Sequence, residues 1–87
     1  MKKKHFTTMT EVRTAVSENG AVIRFGDRVF AIDGNENDGY EAQVYTRPDF
    51  PNDFSYPESR RRLRRIAVSA ERFEDTGHAF EWCRRQR

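Results

Sequence analysis

The sequence has one cysteine, Cys83, and this scarcity excludes two common ways of stabilising a small protein. A single cysteine forms no disulfide within the chain and no cysteine-based zinc cluster. No apolar run approaches the roughly 18 residues that a membrane span needs, and the basic start lacks the apolar stretch of a secretory signal. We therefore expect a cytoplasmic protein of a reducing compartment, without membrane attachment.

Motifs for phosphate and metal binding are also scarce. No glycine-rich phosphate-binding loop of either common type occurs. Residues 33–39 begin like a calcium loop, but Asp38 and Val44 stand where that loop needs a glycine and a glutamate. We interpret residues 33–39 as a solvated connection between strands, and we predict no metal site and no cofactor.

Candidate nucleophiles and general bases are equally few. His78 and Cys83 are five residues apart, so a helix does not present them cleanly on one face. A catalytic Cys–His pair also needs a third group and a pocket, and neither is visible. The sequence therefore predicts no catalytic residues, and we interpret the chain as a protein that is not an enzyme.

Aromatic and charged residues are what the chain has in abundance. Aromatic residues make up 13% of the 87 residues, which argues for a folded domain rather than disorder. The net charge of +2 hides a pattern: residues 1–32 carry +3, residues 33–58 carry −6 and residues 60–87 carry +5. We predict a single domain over residues 1–87, with residues 1–7 as a flexible basic tail. Its charge asymmetry bears on partners rather than on fold.

Three strands follow a first helix in the pattern of the sequence. Thr8 and Glu11 fit a capping box for a helix at about residues 9–18. Residues 21–32 alternate on both sides of Gly26-Asp27, which predicts a hairpin with a type II′ turn and Gly26 at positive φ. Residues 40–47 alternate again and predict a third strand.

The second half of the chain is harder to interpret. Residues 48–58 contain all three prolines, which predicts an irregular segment. We predict a basic helix over residues 59–72, because arginine and leucine are good helix formers. A strand through residues 62–70 is the competing interpretation, since Val68 would point outward from that helix. A last helix is predicted at about 77–86.

These elements predict an α+β domain in which a three-stranded antiparallel sheet packs on helices in the order α-β-β-β-α-α. The order α-β-β-β-α resembles in outline the double-stranded RNA-binding domain, which places basic residues at the start of its second helix. In size, layout and lack of an enzyme motif the chain is also similar to the anti-CRISPR inhibitors of phages and mobile elements. Both resemblances imply a small binding module.

Two groups of residues are the predicted contact sites. Arginine forks match phosphate and carboxylate geometry, whereas acids mixed with aromatic rings are typical of a surface that docks onto a basic protein. The basic face consists of Arg60, Arg61, Arg64, Arg65 and Arg72. The acidic and aromatic segment consists of Glu36, Asp38, Asp49, Phe50, Asp53, Phe54 and Tyr56.

The small net charge favours a protein or nucleoprotein partner over free nucleic acid, because dedicated nucleic-acid domains usually carry a larger positive excess. We therefore expect charge-guided contact with a nucleic-acid-handling protein or nucleoprotein complex, as an anti-CRISPR-like inhibitor would make. Direct binding of nucleic acid through the helix at residues 59–72 is the alternative. The sequence leaves the partner's identity and the oligomeric state open.

Overall fold

The computed structural model describes residues 7–86, which form one five-stranded antiparallel sheet between two helices. The strands lie in the order β1-β5-β4-β3-β2, and the sheet curls into a half-barrel. The elements are β1 (Thr7–Thr8), α1 (Met9–Ala15), β2 (Ala21–Phe25), β3 (Arg28–Asn35), β4 (Gly39–Thr46), two 3₁₀ turns (Asn52–Ser55 and Glu58–Arg60), β5 (Arg62–Val68) and α2 (Thr76–Arg84).

The predicted three-stranded sheet in the order α-β-β-β-α-α is therefore wrong, and so is the basic helix over residues 59–72. Strand β5 replaces that helix and pairs with β4 from Thr46↔Arg64 to Gln43↔Val68. Without β5 the backbone of β4 would form an open sheet edge, so pairing outweighs the helix propensity of arginine. The predicted tail at residues 1–7 lies outside the described residues except for Thr7, which pairs with Leu63.

A β-bulge makes β5 change faces partway along its length. Val44 pairs with Ala67 and Tyr45 with Arg65, so Ile66 is an extra residue on β5. As a result, Leu63 packs on the side of α1, whereas Ala67 packs on the side of α2. The bulge also adds twist and thereby contributes to the curl of the sheet.

Both faces of the sheet carry a hydrophobic cluster, because β3 is apolar on both sides. Its residues alternate between the two, as strand geometry requires. The α1 side contains Met9, Val12, Val29, Ala31, Tyr45 and Leu63. The α2 side contains Phe30, Ile32, Ala42, Val44, Ala79 and Cys83.

The hairpin prediction is confirmed in detail. Ile23 pairs with Phe30 and Phe25 with Arg28, which leaves Gly26 and Asp27 as the two-residue turn. Gly26 has φ 63° while Asp27 does not have positive φ, which is the combination that a type II′ turn requires.

The capping box of the first helix is also confirmed, but the helix ends earlier than residue 18. Thr8 accepts a hydrogen bond from the Glu11 backbone, and the Glu11 side chain accepts one from the Thr8 backbone. After Ala15 the chain leaves the helix and contacts β3, where the Ser17 backbone N–H donates a hydrogen bond to the Asp33 carboxylate at 2.8 Å.

The sheet has two chemically different ends. We call residues 24–28 and 47–65 the arginine end, where β3 begins and β4 ends; it contains eight arginines and four carboxylates. We call residues 33–41 and 71–75 the acidic end, where Tyr40 pairs with Phe73; it contains seven carboxylates and one arginine. Basic and acidic stretches that alternate along the sequence therefore lie at opposite ends of the sheet.

Candidate nucleic-acid interface

The arginines of β5 do not form one basic face. Side chains of successive strand residues point to opposite faces of a sheet, so Arg64 and Arg65 diverge. Arg65 lies opposite Tyr45 on the α1 side, and Arg64 lies opposite Thr46 on the other. Arg60 precedes the strand and is exposed. The arginines therefore surround the start of β5 rather than cover one side of it.

Two predicted members of the basic face behave differently from the rest. Arg61 is half-buried, and within residues 7–86 its Nε has no hydrogen-bond partner. Arg72 lies at the acidic end, where a Cβ on Gly39 would come within 3.0 Å of the Arg72 Cβ. Arg72 is therefore separated from the arginine end by the length of the sheet.

A buried ion pair fixes the proline-rich segment onto the hairpin turn. The Arg47 guanidinium donates from Nε and Nη2 to the two carboxylate oxygens of Asp53, both at 2.9 Å. Its Nη1 donates to the Gly26 carbonyl at 2.9 Å, and the Arg47 backbone N–H donates to the Asp27 carbonyl at 2.8 Å. Asp53 is 1% exposed, so we leave it out of any contact surface.

This anchoring holds three aromatic rings at the surface. Phe50 is 38% exposed, Phe54 69% and Tyr56 46%. The Phe50 and Phe54 ring centroids are 6.4 Å apart, and the Arg47 guanidinium lies 4.6 Å from the centre of the Phe50 ring. A segment whose regular structure between Phe50 and Tyr56 is one short 3₁₀ turn thus presents a fixed group of rings, which we call the aromatic surface.

The carboxylates of the same segment are neutralised by arginines. Asp49 accepts two hydrogen bonds from Arg62, at 3.1 and 3.2 Å, and that contact lowers the pKa of the Asp49 carboxyl. Glu58 forms two ion pairs: its Oε2 lies 2.7 Å from the Nε of Arg13, and its Oε1 lies 2.9 Å from the Nη1 of Arg24. The acidic character that the sequence gives to residues 48–58 is therefore cancelled at the arginine end.

The two arginines that contact Glu58 shift the pKa of its carboxyl group. Partial desolvation raises the pKa of the Glu58 carboxyl, but the charges of Arg13 and Arg24 and their hydrogen bonds lower it more. Its pKa is consequently below the usual 4.5. Through these two arginines, the Glu58 carboxylate connects α1 and β2 to the second 3₁₀ turn.

The predicted acidic and aromatic segment is divided between the two ends. Glu36 and Asp38 are exposed in the β3–β4 turn at the acidic end, far from the aromatic surface. The oxygen of the Asn35 side chain accepts hydrogen bonds from the backbone of Asn37 and Asp38, at 2.9 and 2.8 Å. This local bonding accounts for the polar composition of the turn.

Groups with metal-binding or nucleophilic chemistry lie near α2. Glu74, Asp75 and His78 place three ligand atoms within 4.8 Å, and all three residues are exposed. Asp75 also caps α2: it accepts from the His78 backbone at 2.8 Å, and this bond lowers the pKa of the Asp75 carboxyl. Cys83 is buried, and burial raises the pKa of its thiol to about 11, so a thiolate is not available near neutral pH.

Sequence reasoning missed Arg47 and Glu58, which organise the arginine end. A signal for the first existed: Arg47 is the one basic residue among the seven acids of residues 33–58. An isolated cation in such a stretch favours an internal ion pair. No comparable signal identified Glu58, because its partners Arg13 and Arg24 are distant in sequence, the nearer of them by 34 residues.

Fold and site together define a small α+β domain with an aromatic, arginine-rich end and an acidic end. Residues 3–87 match the family model of nucleotide modification associated domain 4, so the chain belongs to that family. This membership associates the chain with nucleotide modification. Comparisons with curated proteins and with solved structures give no match.

The structure also corrects the outline shared with the double-stranded RNA-binding domain. Strand β5 occupies the position at which that outline needs its second helix. Within residues 7–86 the two helices have seven and nine residues, and neither is long and apolar enough to cross a bilayer.

Proposed function

We propose that this chain is a non-enzymatic accessory module of nucleotide modification that binds the nucleic acid of a nucleoprotein complex through its arginine end. One observation carries the proposal: Phe50, Phe54 and Tyr56 are exposed on the segment that the Asp49–Arg62 pair joins to the start of β5, while Asp49 and Asp53 are neutralised. Aromatic rings stack on bases and arginines contact phosphates, and together they are the usual composition of a single-strand-binding surface.

The contacts support an open, single strand rather than a duplex as the ligand. The aromatic surface is formed by exposed rings on a short connecting segment, and bases stack on such rings only when they are unpaired. The segment is already held by the Arg47–Asp53 pair, so binding requires little ordering of the protein.

Fluorescence anisotropy of a labelled single-stranded DNA, measured over a range of salt concentrations, tests the proposal. Phe54→Ala with Tyr56→Ala should weaken binding by about 1–3 kcal/mol for each base that loses its stacking partner. Arg60→Gln with Arg64→Gln should reduce the slope of log affinity against log salt by about 0.7 for each phosphate that these arginines neutralise.

The matched control for Arg64→Gln alone is Arg84→Gln, which removes the same single charge from α2, where Arg84 is already paired with Glu81. It should leave the affinity and the salt slope close to those of the unmodified protein. Equal losses in Arg84→Gln and Arg64→Gln would show that attraction is a property of total charge, and the proposed interface would then be wrong.

A second candidate function is supported by the acidic end. Glu36 and Asp38 are exposed there and, within residues 7–86, form no ion pair that would neutralise them. They suit an inhibitor that docks onto the basic surface of a nucleic-acid-handling protein, in an anti-CRISPR-like manner. Its test is capture of the partner from nuclease-treated lysate: Glu36→Gln with Asp38→Asn should abolish capture, and Arg64→Gln should not.

A further inference from the structure

A surface concavity of about 550 Å³ lies beside the outer face of α2, away from the aromatic surface. One wall is the extended segment that contains Arg72, Phe73 and Glu74. The other wall is formed by His78 and Trp82 of α2 and by Arg85 at the C-terminal cap of that helix, which follow at helical spacing. Its volume is within the range of about 300–1,000 Å³ that is usual for small-molecule sites.

The aromatic floor of this concavity is held in place from two sides. The Phe73 backbone exchanges two hydrogen bonds with Tyr40 of β4, both at 2.8 Å. Trp82 is half-buried, and its ring centroid lies 6.2 Å from that of Phe73. Trp82 therefore packs on Phe73 while part of its indole ring remains open to a ligand.

Unpaired cations stand next to this floor. Arg72 and Arg85 are exposed, and among residues 7–86 neither forms an ion pair. Glu81, which also borders the concavity, is already paired with Arg84 at 2.9 Å. The carboxylates of Glu71 and Glu74 also border the concavity; both are exposed, and an ionised carboxylate only accepts hydrogen bonds.

We propose that this concavity binds a single nucleotide. Its base stacks on Trp82, its phosphate contacts Arg85 and Arg72, and an exocyclic amino group of the base donates to Glu74. A free cation would meet the Glu71 and Glu74 carboxylates but also two guanidinium groups, whereas a nucleotide uses the indole ring, the cations and an acceptor together. This site is separate from the arginine end and does not depend on the function proposed for that end.

Tryptophan fluorescence reports on this site, because Trp82 is the single tryptophan of the protein. Titration with deoxycytidine monophosphate should quench Trp82 fluorescence saturably and shift its indole N–H resonance. Arg85→Gln should weaken this binding about tenfold, since a hydrogen bond to a charged group is removed. The matched control Arg60→Gln, at the arginine end, should leave the affinity unchanged.

Two further ligands identify which part of the nucleotide is recognised. Deoxycytidine should still quench Trp82, but more weakly than the nucleotide, and inorganic phosphate should compete without quenching. Absence of saturable quenching, or an equal affinity in Arg85→Gln, would overturn the proposal. Phe54→Ala should retain nucleotide quenching while losing single-stranded DNA affinity, so failure at one site is distinguishable from failure at the other.

Discussion

The carboxylates at the arginine end of the sheet have different partners from those at the acidic end. At the arginine end, Asp49, Asp53 and Glu58 each contact an arginine, and the same end carries exposed aromatic rings. At the acidic end, Asp33 and Asp38 are instead bonded to backbone and amide groups, so their charge stays uncompensated. Runs of charge in the sequence therefore do not map directly onto charged surfaces.

Breaking the buried ion pair of the arginine end should produce the largest effect. Asp53→Ala leaves the buried Arg47 guanidinium without its partner, which should cost about 3–5 kcal/mol of the free energy of unfolding. That is a large part of the roughly 5–15 kcal/mol typical of a domain. Urea denaturation measures the loss, and single-stranded DNA affinity should fall because the aromatic surface is released.

A double variant distinguishes the cost of leaving a buried charge unpaired from the cost of losing side-chain packing. Arg47→Met with Asp53→Leu replaces the pair by apolar side chains, and it should recover much of the stability that Asp53→Ala loses. A loss below about 1 kcal/mol in Asp53→Ala would mean that the pair does not anchor the segment, and the fixed aromatic surface would have to be abandoned.

One glycine with positive φ at each end gives a second contrast. Gly26 at the arginine end has φ 63° and open space around it, so Gly26→Ala should cost only the backbone strain, about 1–3 kcal/mol. Gly34 at the acidic end has φ 139°, and a Cβ there would lie 2.1 Å from the Gly39 carbonyl oxygen. Gly34→Ala should therefore destabilise the protein more than Gly26→Ala, as thermal or urea unfolding will measure. The reverse order would mean that the β3–β4 turn relaxes freely.

The hairpin and the capping box were predictable because local rules decide them. Gly26 supplies the positive φ of the turn, and the alternation on both sides of it fixes the register of β2 and β3. Likewise, Thr8 and Glu11 satisfy each other within one turn of helix. No distant contact is needed in either case.

Strand β5 was not predictable in the same way, because its bulge imitates a helical pattern. Leu63 and Ala67 are four residues apart and both pack inward, as in an amphipathic helix. In the structure they face opposite sides of the sheet, since Ile66 is inserted between them. Only pairing with β4, a contact distant in sequence, distinguishes the two arrangements. The outward position of Val68 was the one local sign against the helix.

The candidate site was predictable in composition but not in arrangement. Phe50, Phe54 and Tyr56 are exposed, and Arg60 and Arg64 lie at the same end of the sheet. The pairing of Asp49 with Arg62 depends on tertiary contacts that no spacing rule contains. Sequence therefore identified the kinds of side chain, whereas the fold decides which charges remain uncompensated.

The smallest expected effect comes from Glu58, and pH makes it measurable. Because Arg13 and Arg24 hold its pKa below 4.5 in the folded protein, the ion pairs stabilise the fold fully above pH 4.5. That contribution disappears as pH falls through the lower, folded-state pKa. Glu58→Gln should cost about 1 kcal/mol or less near neutral pH, since these groups are partly exposed and screened.

Urea unfolding of Glu58→Gln and the unmodified protein near neutral pH and in acid tests this expectation. The stability difference should shrink as pH falls, because protonation of Glu58 removes the same charge that the substitution removes. Glu36→Gln is the matched control at the acidic end and should change stability by less than about 0.5 kcal/mol. A difference for Glu58→Gln that stays constant into acid would show that Glu58 acts through packing, and that the arginine end does not depend on this carboxylate charge.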